Sequence, residues 1–225
     1  MKVGFFDSGF GGLNILRAFR RICPDVPTEY IADSANCPYG NKPADEIVRL
    51  SEANVKALLA KGCDIIVVAC NTATAAAIDY LRTNYPEVPF VGLEPAIKPA
   101  ALRSKSGVVG VLATAGTFNG RLYNETKSRF AKHVTVLAVV ADEFVTEVES
   151  LGEAGLEGLS AAKLTRLEKI VRRRIEPLLA AGADKIVLGC THFPTLKPII
   201  SQICANRAEI IDPSDAVARR IRSLL

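Results

Sequence analysis

Leu58-Leu59-Ala60-Lys61-Gly62-Cys63-Asp64-Ile65-Ile66-Val67-Val68-Ala69-Cys70 returns 120 residues later as Leu178-Leu179-Ala180-Ala181-Gly182-Ala183-Asp184-Lys185-Ile186-Val187-Leu188-Gly189-Cys190, with eight of thirteen positions identical. Each copy reads as the end of a helix, a glycine stop at the C′ position, a buried strand, and a cysteine followed by small polar residues. A second match, Val3-Gly4-Phe5-Phe6-Asp7-Ser8-Gly9 with Val109-Gly110-Val111-Leu112-Ala113-Thr114-Ala115, extends the duplication to the first strand of each half. Two related halves therefore each place a hydroxyl residue at one strand end and a thiol at another.

Aliphatic runs at 2–6, 28–32, 64–69, 88–92, 107–112, 134–139, 185–189 and 208–211 read as strands, with helical patterns between them. The segment 44–61 carries Ile47, Leu50, Val55, Leu58 and Leu59 on one face, and 160–181 carries Leu164, Leu167, Ile170, Val171, Ile175, Leu178 and Leu179 likewise. Strand–helix alternation of this kind predicts an α/β fold of two pseudo-symmetric domains with mainly parallel central sheets. The expected division is 1–95 plus 212–225 against 96–211, with the helix after Pro213 packing back onto the first domain. At 225 residues, the chain accommodates two domains of ordinary size.

Bulk composition narrows the function. The formal net charge is +4, too mild for a nucleic-acid partner, and Arg172-Arg173-Arg174 lies within an amphipathic helical pattern, as a solvated face does. The apolar runs are strand-sized, well short of the ~20 residues of a membrane span, so a cytoplasmic protein with no export signal is expected. Six cysteines lack metal-ligand spacing and read as reduced thiols. Gly9-Phe10-Gly11-Gly12 does not continue as G-x-G-x-x-G, because position 14 is Asn, and no P-loop occurs. No metal and no cofactor are expected.

In open parallel sheets, ligands bind beyond the carboxyl ends of the strands. Asp7, Ser8, Cys70, Thr114 and Cys190 fall at such ends, so the active site is expected in the interdomain cleft. Cys70 precedes Asn71-Thr72, and Cys190 precedes Thr191-His192. A helix start after each cysteine would favour a thiolate and lower its pKa, while free N–H groups there would hold a substrate carboxylate. His192, two residues from Cys190, suits an acid/base relay or a substrate contact. Asp7 either caps the helix at 12–22 or assists a nearby thiol. Pro38-Tyr39-Gly40 forms a turn that could wall the cleft. Cys23, Cys37, Cys63 and Cys204 have no twin at a strand end and read as packing residues, as His133 reads as structural.

Taken together these segments resemble the glutamate racemases of the cofactor-independent aspartate/glutamate racemase superfamily. The resemblance rests on Phe6-Asp7-Ser8-Gly9 with Gly11-Gly12-Leu13, on Pro38-Tyr39-Gly40, and on Ala69-Cys70-Asn71-Thr72-Ala73. Further on it includes Glu94-Pro95-Ala96-Ile97-Lys98-Pro99-Ala100, Leu112-Ala113-Thr114 and Leu188-Gly189-Cys190-Thr191-His192-Phe193-Pro194. It implies Cys70 and Cys190 as paired acid/base catalysts, with Asp7 partnering Cys70 and His192 partnering Cys190. It also implies Glu149 as a carboxylate near the site. Substrate contacts would come from Asp7, Ser8, Pro38, Tyr39, Gly40, Asn71, Thr72, Thr114, Thr117, Thr191 and His192. The implied substrate is a small molecule, D- or L-glutamate, and the implied role is supplying D-glutamate for peptidoglycan. A homodimer is compatible with the resemblance. The chain departs from the family pattern at Ala141-Asp142 and ends soon after Asp212-Pro213-Ser214. Aspartate as substrate, a non-catalytic binding protein and a thiol redox sensor are the competing readings.

Overall fold

The computed structural model describes residues 1–225. The first half runs β1 (Val3–Asp7), α1 (Leu13–Ile22), β2 (Thr28–Ala32), α2 (Ala44–Ala60), β3 (Ile65–Val68), α3 (Asn71–Asn84) and β4 (Phe90–Gly92). The second runs α4 (Ile97–Arg103), β5 (Val108–Ala113), α5 (Ala115–Phe118), α6 (Arg121–Phe130), β6 (Thr135–Val140), α7 (Asp142–Leu151), α8 (Ala161–Ala180), β7 (Lys185–Leu188), α9 (Lys197–Cys204) and β8 (Glu209–Ile211). Helix α10 (Ser214–Arg222) closes the chain. All eight expected strands form, and no helix is long and apolar enough to cross a membrane.

The strands make two four-stranded sheets with matching orders, β2-β1-β3-β4 and β6-β5-β7-β8, and every pairing is parallel. Val3 stands opposite Ile65 in the first sheet and Val109 opposite Lys185 in the second, the positions that the sequence repeat aligns. The central strands β1, β3 and β7 are buried along their whole length, because helices cover both faces of each sheet. Alternate residues supply the two faces. Phe5, Ile65 and Val67 pack under α1, while Phe6, Ile66 and Val68 pack under α2 and α3. In the second half, Leu112, Ile186 and Leu188 face α7, α8 and α9, while Val109, Val111 and Val187 lie toward α4 and α6. Helix α10 sits beside α1, with Ala218 and Ile221 buried in the core of the first sheet.

The duplicated stretch folds the same way twice. Gly62 (φ 74°) and Gly182 (φ 82°) adopt the left-handed conformation that ends α2 and α8. Gly62 N–H then reaches the Leu59 carbonyl and Cys63 N–H the Leu58 carbonyl. Gly182 and Ala183 repeat the pattern onto Leu179 and Leu178. This paired Schellman closure sends each chain directly into its central strand. The arginine run of α8 is a solvated face, with Arg172 paired to Glu168 and Glu176 and Arg174 to Glu143.

Candidate active site

Both sheets end where the two halves meet, and the residues at those ends are out of solvent. Asp7, Cys70, Cys190 and His192 are between 0% and 8% exposed. Cys70 is the N-cap of α3, where its sulfur accepts the Ala73 N–H at 3.4 Å and lies 3.6 Å from Ser8 Oγ. Asp7 ends β1 beside it. One carboxylate oxygen accepts the Gly12 N–H at 2.7 Å, and Thr191 Oγ1 approaches the same oxygen at 3.4 Å. Gly12, not Asp7, is the N-cap of α1, yet the carboxylate still holds the N–H of that cap residue. Of the two expected alternatives, the bond to Gly12 places the carboxylate at the start of α1.

On the other side, Cys190 Sγ lies 3.6 Å from His192 Nδ1. His192 Nε2 lies 2.5 Å from Glu149 Oε1, which also accepts the Phe10 N–H at 2.8 Å. Glu149 comes from α7, which brings its carboxylate against His192. Cys190, unlike Cys70, does not cap an α-helix. It leads through Thr191 and His192 into a 3-10 turn at Phe193–Leu196 before α9 begins. The expectation of two equivalent helix starts is therefore corrected to one.

Charge distribution differs across the cleft. Burial, together with the Asp7 charge, pushes the Cys70 thiol well above its ordinary value. The expectation that the helix start lowers it fails, because desolvation of a fully buried sulfur outweighs one N–H bond. Burial also raises Asp7, against the attraction of His192 and the bond from Gly12. For His192, burial opposes the charged ring, but the bonds to Cys190 and Glu149 and the charges of Cys190 and Asp7 prevail and raise its pKa well above normal. Glu149 is lowered: burial acts upward, and the bond and charge of His192 outweigh it. The two thiols sense each other, since a charge on Cys190 opposes ionisation of Cys70.

The remaining candidates divide. Thr72, Thr114 and Thr117 form a buried hydroxyl chain, with Oγ1 atoms 2.8 and 2.9 Å apart. Asn71 Nδ2 and Asp7 Oδ1 are buried without a hydrogen-bond partner. Such atoms are uncommon in folded proteins, and here they leave one donor on the residue after Cys70 and one acceptor at the end of β1. Gly40 lies against Thr114 and Asp142. Tyr39 does not offer its hydroxyl to the cleft. It is bonded to Asp33 Oδ2 at 2.5 Å, and its ring belongs to the core of the first half. A cavity of about 450 Å³, lined in part by Gly40, Thr72 and Gly116, opens beside the threonines.

Two neighbours of the site went unread in the sequence. Asn14 donates to the Thr191 carbonyl at 2.9 Å, fastening α1 to the segment that carries His192. Cys37, expected to be a packing residue, is only partly buried and stands with Glu149 and His192. Burial and the nearby negative charges push its thiol up to about 12. Its place immediately before Pro38-Tyr39-Gly40 was the one available signal. Cys23, Cys63 and Cys204 are buried in the core, as expected.

The sequence matches the Asp/Glu/Hydantoin racemase family over residues 13–221. A glutamate racemase of Roseiflexus sp. (strain RS-1) is 43% identical over 99% of this chain and 79% of its own length. One of Ectopseudomonas mendocina (strain ymp) is 44% identical over 99% of this chain and 81% of its own. The crystal structure of Escherichia coli glutamate racemase with L-glutamate and the activator UDP-MurNAc-ala superposes with a TM-score of 0.86 at 36% identity, covering 99% of this chain and 81% of that one. The Francisella tularensis enzyme with D-glutamate gives 0.81 at 27%, covering 100% and 80%. With the same two-sheet architecture and a family match along nearly its whole length, the chain belongs to the glutamate racemases, isomerases of the Asp/Glu/Hydantoin racemase family.

Proposed function

We propose that this chain interconverts L- and D-glutamate by proton transfer between the substrate Cα and two cysteines, Cys70 and Cys190, and so supplies D-glutamate for peptidoglycan synthesis. The observation that carries the reading is the delivery of both thiols to one buried cleft from the ends of equivalent strands, β3 and β7, each with its own acid/base neighbour. One sulfur faces each side of a stereocentre held between the halves. A thiolate removes the Cα proton, and the opposite thiol returns one to the other face.

The neighbours prepare the thiols unequally. Cys70, pushed up by burial and by Asp7, is the protonated member in this arrangement. His192 is raised well above its ordinary value against the cost of burial, by its bonds to Cys190 and Glu149, so a charged imidazole stands beside the second sulfur. The Cα–H is a weak acid, and negative charge building on the α-carboxylate needs fixed donors. The N–H groups at the start of α3, Asn71 Nδ2 and the hydroxyls of Thr72, Thr114 and Thr117 are available for that charge. Asp7 Oδ1, the unpartnered acceptor, suits the substrate ammonium. Because the cleft residues are buried, the halves must part to admit substrate and close again, excluding water.

Purified protein in D₂O should exchange the α-hydrogen of either glutamate enantiomer without added cofactor. Cys70→Ala and Cys190→Ala should each lower racemisation by about 10²–10⁴-fold, the range of a lost acid/base group. Full racemisation by either variant would refute the two-thiol scheme. Aspartate, assayed in parallel, tests the substrate assignment.

A further inference from the structure

The third thiol at the cleft has no part in that chemistry, yet it faces two of the groups that do. Cys37 Sγ, a Glu149 carboxylate oxygen and a His192 ring nitrogen lie within 4.8 Å of one another. They come from three separate elements: the turn after β2, helix α7 and the segment after β7. Sulfur, imidazole and carboxylate together are a donor set for a borderline divalent ion such as Zn²⁺ or Co²⁺, and not for Mg²⁺ or Ca²⁺. We propose that Cys37, Glu149 and His192 form an inhibitory divalent-cation site that binds Zn²⁺ and pins the two halves together.

The geometry needs little change. Zinc bonds of about 2.0–2.3 Å place tetrahedral ligand atoms roughly 3.3–3.8 Å apart. With the three atoms within 4.8 Å of one another, the Cys37 side has at most about 1 Å to close. The spacing is too tight between His192 Nε2 and Glu149 Oε1, now 2.5 Å apart. Cys37 and Glu149 are both partly exposed, so their side chains can shift and water can fill the fourth position. Nε2 is the nitrogen available to the ion, because Nδ1 faces Cys190 Sγ at 3.6 Å. The ion replaces the proton shared by His192 and Glu149, and that proton and the Cys37 thiol proton pass to solvent. Phe10 N–H already steadies the carboxylate from behind, as outer-shell donors do at metal sites.

Inhibition follows from the same contacts. An ion on Nε2 fixes the imidazole and blocks its acid/base exchange with Glu149. Cys37 belongs to the first half and Glu149 and His192 to the second, so one ion bridges the two and opposes the opening that admits substrate. This consequence rests on the proposed racemase mechanism. Binding itself does not, and the two are measured separately.

The test uses metal-free, full-length protein with Co²⁺ or Zn²⁺ alone as probe. Co²⁺ should give thiolate-to-metal charge-transfer absorption at one equivalent, in wild type and in Cys190→Ala and Cys70→Ala alike. In Cys37→Ser and Cys37→Ala the band should disappear and Zn²⁺ affinity, by calorimetry, should fall at least about tenfold. The Cys37 variants should racemise glutamate like wild type without metal and resist Zn²⁺ at concentrations that inhibit wild type. An unchanged cobalt band or unchanged Zn²⁺ affinity in the Cys37 variants would overturn the site, as would absence of one-equivalent binding in wild type. Intact binding without any effect on turnover would overturn the inhibitory role and leave the ligand set standing.

Discussion

Thr72 Oγ1 and Thr114 Oγ1 stand 2.8 Å apart, one hydroxyl from each half of the molecule, in a hydrogen bond that crosses the cleft. Thr72 belongs to the first turn of α3 and Thr114 is the N-cap of α5, so the bond joins two helix starts as well as two sheets. A substrate carboxylate entering between them would take over these donors, and the bond then serves as a stand-in for substrate contacts.

Thr72→Val preserves side-chain shape and removes only the hydroxyl. Thr114 keeps Thr117 Oγ1 as a partner at 2.9 Å, so no buried hydroxyl is stranded there. Stability should change by about 1 kcal/mol or less, the net worth of one such bond. If the hydroxyl contacts a charged substrate group, the loss is about 1.5–3 kcal/mol. The KM for glutamate should then rise by about tenfold or more while the melting temperature barely moves. Steady-state kinetics beside a thermal melt check this, and unchanged KM would remove Thr72 from the substrate contacts.

Gly11→Ala should damage catalysis through His192. A Cβ at Gly11 would lie 2.6 Å from His192 Nδ1 and 2.7 Å from the His192 backbone nitrogen. The side chain is wedged between Cys190 and Glu149 and cannot swing clear without breaking one of those contacts. Displacing the ring by an ångström is enough to cost about 10²-fold in rate. The expected result is a large fall in kcat from a protein that still folds, with overpacking costing about 1–3 kcal/mol. Wild-type kcat would show that the ring position is not critical.

Much of this was readable in the chain. The duplicated Leu58–Cys70 and Leu178–Cys190 stretches fixed two central strands, their glycine stops and the two thiols. That succeeded because all of these depend on local pattern and on burial along single strands. What stayed hidden depends on how the halves dock. Apart from its place before Pro38-Tyr39-Gly40, nothing near Cys37 signals that α7 and the segment after β7 will bring Glu149 and His192 to it. The Cys70 case differs. The helix start acts on the thiol as expected through the Ala73 N–H, but burial overrides it, with Cys70 packed in a core cluster that includes Phe6, Tyr39 and Val68.

Helix α10 carries a prediction about folding alone. Ile221 is fully buried in the cluster with Phe5, Phe19 and Val91, although it lies at the far end of the sequence. Ile221→Ala should cost about 2–4 kcal/mol through lost burial and a residual cavity. Activity per folded molecule should persist, since Ile221 packs in the core with Phe5 and Phe19, whereas the cleft meets α1 only at its start, through Gly12 and Asn14. Denaturant unfolding and kinetics on the same preparation check both parts. Loss of activity without loss of stability would mean that α10 communicates with the cleft.

Asp184 offers a pH test well away from the thiols. The repeat places an aspartate after each glycine stop, and each one anchors its own half. Asp64 Oδ2 accepts the Lys2 N–H at 2.7 Å, just ahead of β1. Asp184 accepts Ser104 Oγ at 2.7 Å and the N–H groups of Lys105 and Ser106 at 2.6 and 3.1 Å, just ahead of β5. Burial acts to raise the Asp184 pKa, but those three bonds and the Lys185 charge outweigh it and hold the carboxyl well below the ordinary range. A carboxyl lowered on folding stabilises the native state fully above its unfolded pKa of about 3.9. That stabilisation is lost as pH falls through the lower folded value. Asp184→Asn should therefore melt a few degrees below wild type, for a deficit of about 1 kcal/mol on the hydrogen-bond scale. The gap should stay constant from pH 8 to about pH 5 and narrow below about pH 4. A gap that persists undiminished into acid would mean that the ionised carboxylate is not what holds the entry to β5.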